Sequence, residues 1–180
     1  MQVPKAPLPR FTEIFEALNA ERSWFSDASP LRFAAVAALT CGGEPAAVAR
    51  AIRAIADQLS ERSGWFGELN GSLRFVVAAM LLQNDDSASD FMEAVESVRA
   101  LFREAGLRRG GSYEAMSALI LRGPDKHDVR PADVERFKAI YEEMKKHHWW
   151  ITSVDDFPAC AILSRQDGSP DAIGNEIESI

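Results

Sequence analysis

The feature that most constrains this chain is an internal repeat. Glu21-Arg22-Ser23-Trp24-Phe25 returns as Glu61-Arg62-Ser63-Gly64-Trp65-Phe66, and Leu31-Arg32-Phe33 returns as Leu73-Arg74-Phe75. Each Leu-Arg-Phe opens a small apolar run. An offset of roughly 40 residues is the length of one stacked helix pair in an α-solenoid. A repeat unit of that size cannot bury its apolar face alone, so neighbouring units must stack.

Helical periodicity fits this reading. Short, nearly all-apolar runs occur at Leu31 to Leu39, Leu73 to Leu82, Tyr113 to Leu121 and Phe157 to Leu163. Ser29, Ser72, Ser112 and Asp155 or Asp156 stand before them as N-cap candidates, and Pro30 and Pro158 suit a first helical turn. A parallel-sheet strand is the competing reading for such runs, but their alanine content and Ser or Pro starts favour helix. A helix that is apolar all round is expected to be buried on most sides.

Longer one-sided helices alternate with the short ones. Val48, Ile52, Ile55 and Leu59 form one stripe. Phe91, Val95, Val98 and Phe102 form a second, and Val134, Phe137, Tyr141 and Met144 a third. Pro45, a Ser87-x-x-Asp90 capping box and Pro131 mark their starts. A first helix near Arg10 carries Phe11, Ile14, Phe15 and Leu18 on one face. A last one opens at Ser169-Pro170-Asp171 and places Ile173, Ile177 and Ile180 on one side. The glycine-rich joints at Gly42-Gly43, Gly67 to Gly71, Gly110-Gly111, Gly123-Pro124 and Gly168 fall between helices. The expected fold is all-α, an α-solenoid of about four HEAT-like helix pairs forming a single domain over residues 1–180. Short helices should make one layer and long helices the other, with Phe33 and Phe75 in equivalent buried places.

Composition narrows the function classes. The net charge of −7 argues against nucleic acid or an anionic membrane as partner. Residues Ile151 to Ile180 hold six acids against one arginine, which makes that end the negative pole. No apolar run approaches the roughly 18 residues of a membrane span, and Met1 to Pro9 has no apolar signal-peptide core. Cys41 and Cys160, three repeats apart, are expected to be buried thiols in a reducing compartment, so the protein is read as cytoplasmic.

Several residues are candidates for contacts. Trp24-Phe25, Trp65-Phe66 and Trp149-Trp150 recur after long helices, either as plugs between repeats or as an aromatic binding ridge. Asp27 precedes Arg32, and Glu68 precedes Arg74, at matching offsets from the tryptophans. Ion pairs at the starts of the apolar helices are expected, and an anion-binding groove is the other reading. His147, His148, Asp155 and Asp156 lie within ten residues. Adjacent histidines on a helix diverge by roughly 100°, and both residue types suit helix ends, so capping is expected and no metal. His127 and the basic set Arg108, Arg109, Arg122 and Lys126 read as solvated surface. Phosphate-binding loops, dinucleotide fingerprints, nucleophile elbows and zinc-protease helices are all missing.

The segment Met144-Lys-Lys-His-His-Trp-Trp-Ile-Thr-Ser-Val-Asp-Asp-Phe-Pro-Ala-Cys-Ala-Ile-Leu163 resembles the most recognisable block of a bacterial family described only as a domain of unknown function. Ser112-Tyr113 with Ala115 to Leu121 is similar to its preceding block, and Ile151 stands where a leucine is expected. The resemblance carries no catalytic residue. It implies that further helices follow, so the chain reads as the N-terminal part of a longer protein, with those helices or a second copy covering Ser169 to Ile180. The expected function is a scaffold for a protein or peptide partner, without cofactor, and enzymatic activity is left open. The alternative is a small-molecule-binding protein or hydrolase with Arg32, Arg74, His148, Asp155 and Asp156 lining a cleft.

Overall fold

The computed structural model describes residues 4–20, 27–63, 69, 71–147 and 152–178. Among the described residues the fold is all helical. The helices are α1 (Pro7–Asn19), α2 (Ser29–Ala37), α3 (Pro45–Ser63), α4 (Leu73–Gln83), α5 (Ala88–Glu104), α6 (Ser112–Arg122), α7 (Pro131–His147), α8 (Phe157–Ser164) and α9 (Pro170–Glu178). Single 3₁₀ turns follow α2 at Ala38–Thr40 and precede α8 at Val154–Asp156.

The starts obey local chemistry. Pro45, Pro131 and Pro170 each open their helix, where the missing N–H has no intrahelical partner to lose. The Asp90 N–H donates to Ser87 Oγ at 3.0 Å, and the Ala172 N–H donates to Ser169 Oγ at 3.2 Å. Ser153 and Asp156 form a reciprocal capping box ahead of α8.

Two compact units are present, Met1–Met92 and Glu93–Ile180. Within the first, α2 packs on α4 and α1 on α3, while α1 and α3 also pack on α2 and α4 respectively. The short helices thus touch one another and the long ones touch one another, as the expected layers would, and the contacts between long and short helices are comparably extensive. Ile14, Leu18, Leu31, Ile52, Leu59, Val77 and Leu81 fill the space between the layers, with Ala34, Ala35, Ala78 and Ala79 letting the short helices approach closely. Every fully buried side chain on α1 to α4 is aliphatic among the described residues.

In the second unit α8 packs on α6, and α7 packs on both α8 and α9. Its core sets an aromatic cluster among aliphatic side chains such as Val95, Val98, Leu119 and Ile140. Phe157 meets Phe102 and Phe137 edge to face at 5.7 and 5.4 Å and Tyr141 at 5.2 Å, and Phe102 stacks on Phe137 at 4.8 Å. Such pairs add about 0.5–1.5 kcal/mol each beyond the area they bury. The rings lie so close to Gly110 that a Cβ there would come within 3.0 Å of Phe157.

Phe33 corrects one expectation. It is 65% exposed, whereas Phe75 is half-buried. Phe75 is held between two cations, Arg74 at 4.8 Å and Arg53 at 5.8 Å from the ring centre. The two Leu-Arg-Phe copies share a sequence position and differ in surroundings. Helix α2 is apolar on all sides, yet one of its sides is open.

Both units also carry an arginine clamp that periodicity does not reveal. In the first, Arg10 on α1 donates from Nε to Leu39 O at 3.0 Å, from Nη2 to Cys41 O, and from Nη1 to Gly43 O at 3.0 Å. In the second, Arg136 on α7 donates from Nε to Ser164 O at 2.8 Å, and from Nη2 to Gln166 O at 2.6 Å and Gly168 O at 2.8 Å. Each guanidinium takes the carbonyls of residues i, i+2 and i+4 at the exit of a short helix. Those carbonyls have no partner inside the helix, and a cation suits the negative end of the dipole. Gly43 and Gly168 both have φ in the left-handed range, +95° and +111°, where an L side chain is strained. Each lies two residues before the proline that starts the next long helix.

Candidate functional site

The side of α2 left uncovered is the most distinctive surface of the described residues, and it is built by α2's own sequence. Asp27 fixes the helix entry: its Oδ1 accepts the Ser29 N–H at 2.9 Å. That bond holds the Asp27 carboxyl below the usual carboxylate range, with the Arg32 charge helping through space. Pro30 then sets the first turn. Leu31, Ala34 and Ala35 turn into the core, which leaves Arg32, Phe33 and Val36 outward at i, i+1 and i+4. Val36 is 54% exposed.

Arg32 reaches from α2 to α1. Its guanidinium carbon lies 5.7 Å from the Phe15 ring centre, within cation–π range. Phe15 in turn stacks on Phe11, with ring centres 6.1 Å apart and planes 4° off parallel. The expected Asp27–Arg32 ion pair is not formed: the acid serves as cap and the arginine as a lid on an aromatic ring. Arg32 has no carboxylate within ion-pair distance among the described residues. The result is an exposed guanidinium beside an exposed phenylalanine and valine.

The other candidate residues divide into three groups. Trp24, Trp65, Trp149, Trp150 and His148 lie outside the described residues, as does Glu68, the expected partner of Arg74. Arg74 is half-buried, lies over Phe75 and donates from Nη1 to Gly71 O at 3.3 Å. Asp155 is exposed, and Asp156 Oδ2 accepts the Ser153 N–H at 2.9 Å as its half of the capping box. Among the described residues, no cluster of three or more His, Cys, Asp or Glu side chains is placed to hold a metal ion.

Arg122, expected as solvated surface, is only 8% exposed at the end of α6, and two further polar features are not visible in the sequence. Glu114, in the first turn of α6, is 3% exposed and held by two arginines of α5: Arg99 Nε lies 3.4 Å from Oε2, and Arg103 Nη2 donates to Oε1. Arg103 also donates to Arg108 O at 3.0 Å. Arg165 caps α6, donating to Ile120 O at 3.0 Å and Leu121 O at 3.2 Å. It fills the space a Cβ on Gly123 would take, at a residue whose φ is +64°. Glu114, its two arginines and Arg165 are all committed to holding helix ends and pairs together. A signal for the clamps does exist in the sequence: Trp24-Phe25 and Trp149-Trp150, Gly43 and Gly168, and Pro45 and Pro170 are each 125 residues apart, and Arg10 and Arg136 are 126 apart.

The thiols are free. Cys160 is fully buried and its Sγ–H points at Met144 Sδ, 3.4 Å away. Burial pushes it up to about 12, with the Asp156 charge adding to the shift. Cys41 is half-buried and also raised by burial, with Arg10 opposing. Neither thiol is activated as a nucleophile would be.

The family model for "Protein of unknown function (DUF4003)" matches residues 14–180. The chain belongs to the DUF4003 family. The resemblance carried by Met144 to Leu163 therefore extends over nearly the whole chain. No curated protein and no solved structure matches this DUF4003 member. Among its described residues, no helix is long and apolar enough to cross a membrane.

Proposed function

We propose that this DUF4003 chain is a cytoplasmic helical-repeat scaffold that holds a protein or peptide partner against α1 and α2. In this reading the helices of each unit belong to a HEAT-like solenoid of about four helix pairs. The observation that carries the proposal is the open side of α2. Phe33 and Val36 are large apolar side chains held out on a rigid helix whose opposite side is fully packed. Rigid presentation lowers the ordering cost of binding, and paired exposed apolar residues are what an interface core requires. The free, unactivated thiols suit a reducing compartment.

Local commitments weigh against the small-molecule or hydrolase alternative. Asp156 serves the capping box, Arg74 serves Phe75 and Gly71, and Asp155 lies in solvent. The test is site-specific photo-crosslinking in the native host, with the photoreactive residue at Phe33 and, as control, at exposed Arg50 on α3. The expected result is one discrete adduct from position 33 and none from position 50. The same adducts from both positions, or none from either, would count against the scaffold.

A further inference from the structure

We infer that the partner of the α2 face is a protein segment that sets an aspartate or glutamate beside two large apolar side chains, with Arg32 receiving the carboxylate. The inference rests on the scaffold reading and adds the chemistry of what is held. It starts from charge. The chain is acidic overall, and Arg32 is an exposed cation with no carboxylate of its own within ion-pair distance among the described residues. Asp27 acts on it only through space, with its Oδ1 accepting the Ser29 N–H and no ion pair formed to Arg32.

The second argument is geometric. The guanidinium carbon lies 5.7 Å from the Phe15 ring centre, a contact that biases the side chain toward α1. A carboxylate matches the planar guanidinium fork with two parallel hydrogen bonds. Phe33 and Val36 follow Arg32 at one and four residues along the same exposed side of the helix, so a segment laid along α2 meets all three. Covering them removes water from the ion pair and strengthens it. The related Arg74 lacks this character. It is half-buried and donates to Gly71 O, so its fork is partly used. Of the two Leu-Arg-Phe copies, only the first has its arginine and its phenylalanine both facing solvent.

The third argument selects a protein segment over other anions. A nucleic acid or an anionic membrane needs a field of several cations, whereas among the described residues of α2 Arg32 is the one cation, beside apolar groups in a chain of net charge −7. One carboxylate with two apolar side chains at helical spacing is the complement of Arg32, Phe33 and Val36.

The test is selection of a displayed library of about 16-residue peptides, some four helical turns, on the whole chain. Binding of the selected peptides is then measured against wild type, Arg32→Glu, Arg32→Lys and Phe33→Asp, with melting temperatures to show that each variant is folded. The expected consensus holds an acid beside large apolar residues. Affinity should fall by about tenfold or more with Arg32→Glu and partly persist with Arg32→Lys. A peptide carrying lysine in place of the acid should regain affinity on Arg32→Glu. A consensus without the acid, or full affinity for Arg32→Glu with loss only on Phe33→Asp, overturns this inference and leaves the scaffold standing. Peptides indifferent to Phe33→Asp overturn both. A dimer in sedimentation that Phe33→Asp dissolves would replace the partner by a second copy and likewise overturn the inference.

Discussion

The stretch from α1 to α3 and the stretch from α7 to α9 are framed alike and filled differently. Both place an arginine of the leading long helix on three alternate carbonyls at the exit of the short helix. Both then turn through a left-handed glycine and restart on a proline. Between these fixed points the first region packs alanine and branched aliphatics, and the second a cluster of Phe137, Phe157 and Tyr141 against Phe102 of α5. The frame and the filling are separable. Backbone polar groups demand the same answer wherever a helix ends, whereas a core demands only that its volume be filled. The short helices differ at the surface too. Helix α2 turns out Arg32, Phe33 and Val36 together, while α8 shows Ile162 at 51% exposure as its one large exposed hydrophobic.

The largest difference between the regions should appear in thiol reactivity. Cys160 lies in the aromatic unit, fully buried and raised to about 12, and Cys41 is half-buried at the exit of the short helix. With stability of about 5 kcal/mol or more, Cys160 should react with a thiol reagent at least ~10³-fold more slowly than in denaturant, and only through global opening. Cys41 should react by local opening. Equal rates, followed by mass spectrometry, would mean that the second core is not closed.

Phe157→Ala should cost about 4 kcal/mol, because it deletes the ring that touches three others. Urea unfolding reads this directly. A loss under about 1 kcal/mol would show that the aromatic cluster is loosely packed.

Arg10→Met and Arg136→Met test the shared frame. Each removes charge-assisted bonds to three carbonyls at a partly exposed site, for a loss of about 2 kcal/mol. The two losses should agree within about 0.5 kcal/mol. A loss from one and none from the other would break the equivalence.

Acid titration sharpens the comparison further. Asp27 at the α2 entry is depressed by its bond to the Ser29 N–H, and Asp133 in the first turn of α7 is depressed by its bonds to the Arg130 side chain and N–H. A carboxyl depressed in the folded state adds stability above its unfolded pKa near 4, and that stability is lost as pH falls through the folded value. Asp27→Asn and Asp133→Asn should each flatten the acid limb of the melting-temperature profile and leave its neutral shape alone. An unchanged acid limb in either variant contradicts the capping role.

Much of the frame was legible. The four short runs became helices with ends shifted by a residue or two, the three prolines opened their helices, and the Ser169 cap forms as read; Ser87 caps α5 through its Oγ but gives its own N–H to Asp86 instead of Asp90, so the box is half formed, and Ser29, Ser72 and Ser112 give their helices no side-chain cap. Backbone hydrogen-bond requirements act locally, so a local sequence carries them. The clamps were not legible from periodicity, because a lone arginine on a helix has no period. Their signal is the 125-residue offset, a longer interval than the 40-residue repeat that stands out first. The candidate site was half legible. Arg32 was singled out, but its neighbour Phe33 was expected inside. A helix apolar on every side does not say which side its neighbours will leave open, since that depends on where the flanking helices run.

The most direct test of the account is hydrogen–deuterium exchange of the whole chain, free and bound to a selected or crosslinked partner segment. The account predicts added protection at Pro7–Asn19 and Ser29–Ala37, with Phe157–Ser164 unchanged. Protection confined to Phe157–Ser164, or spread evenly over the chain, would contradict it.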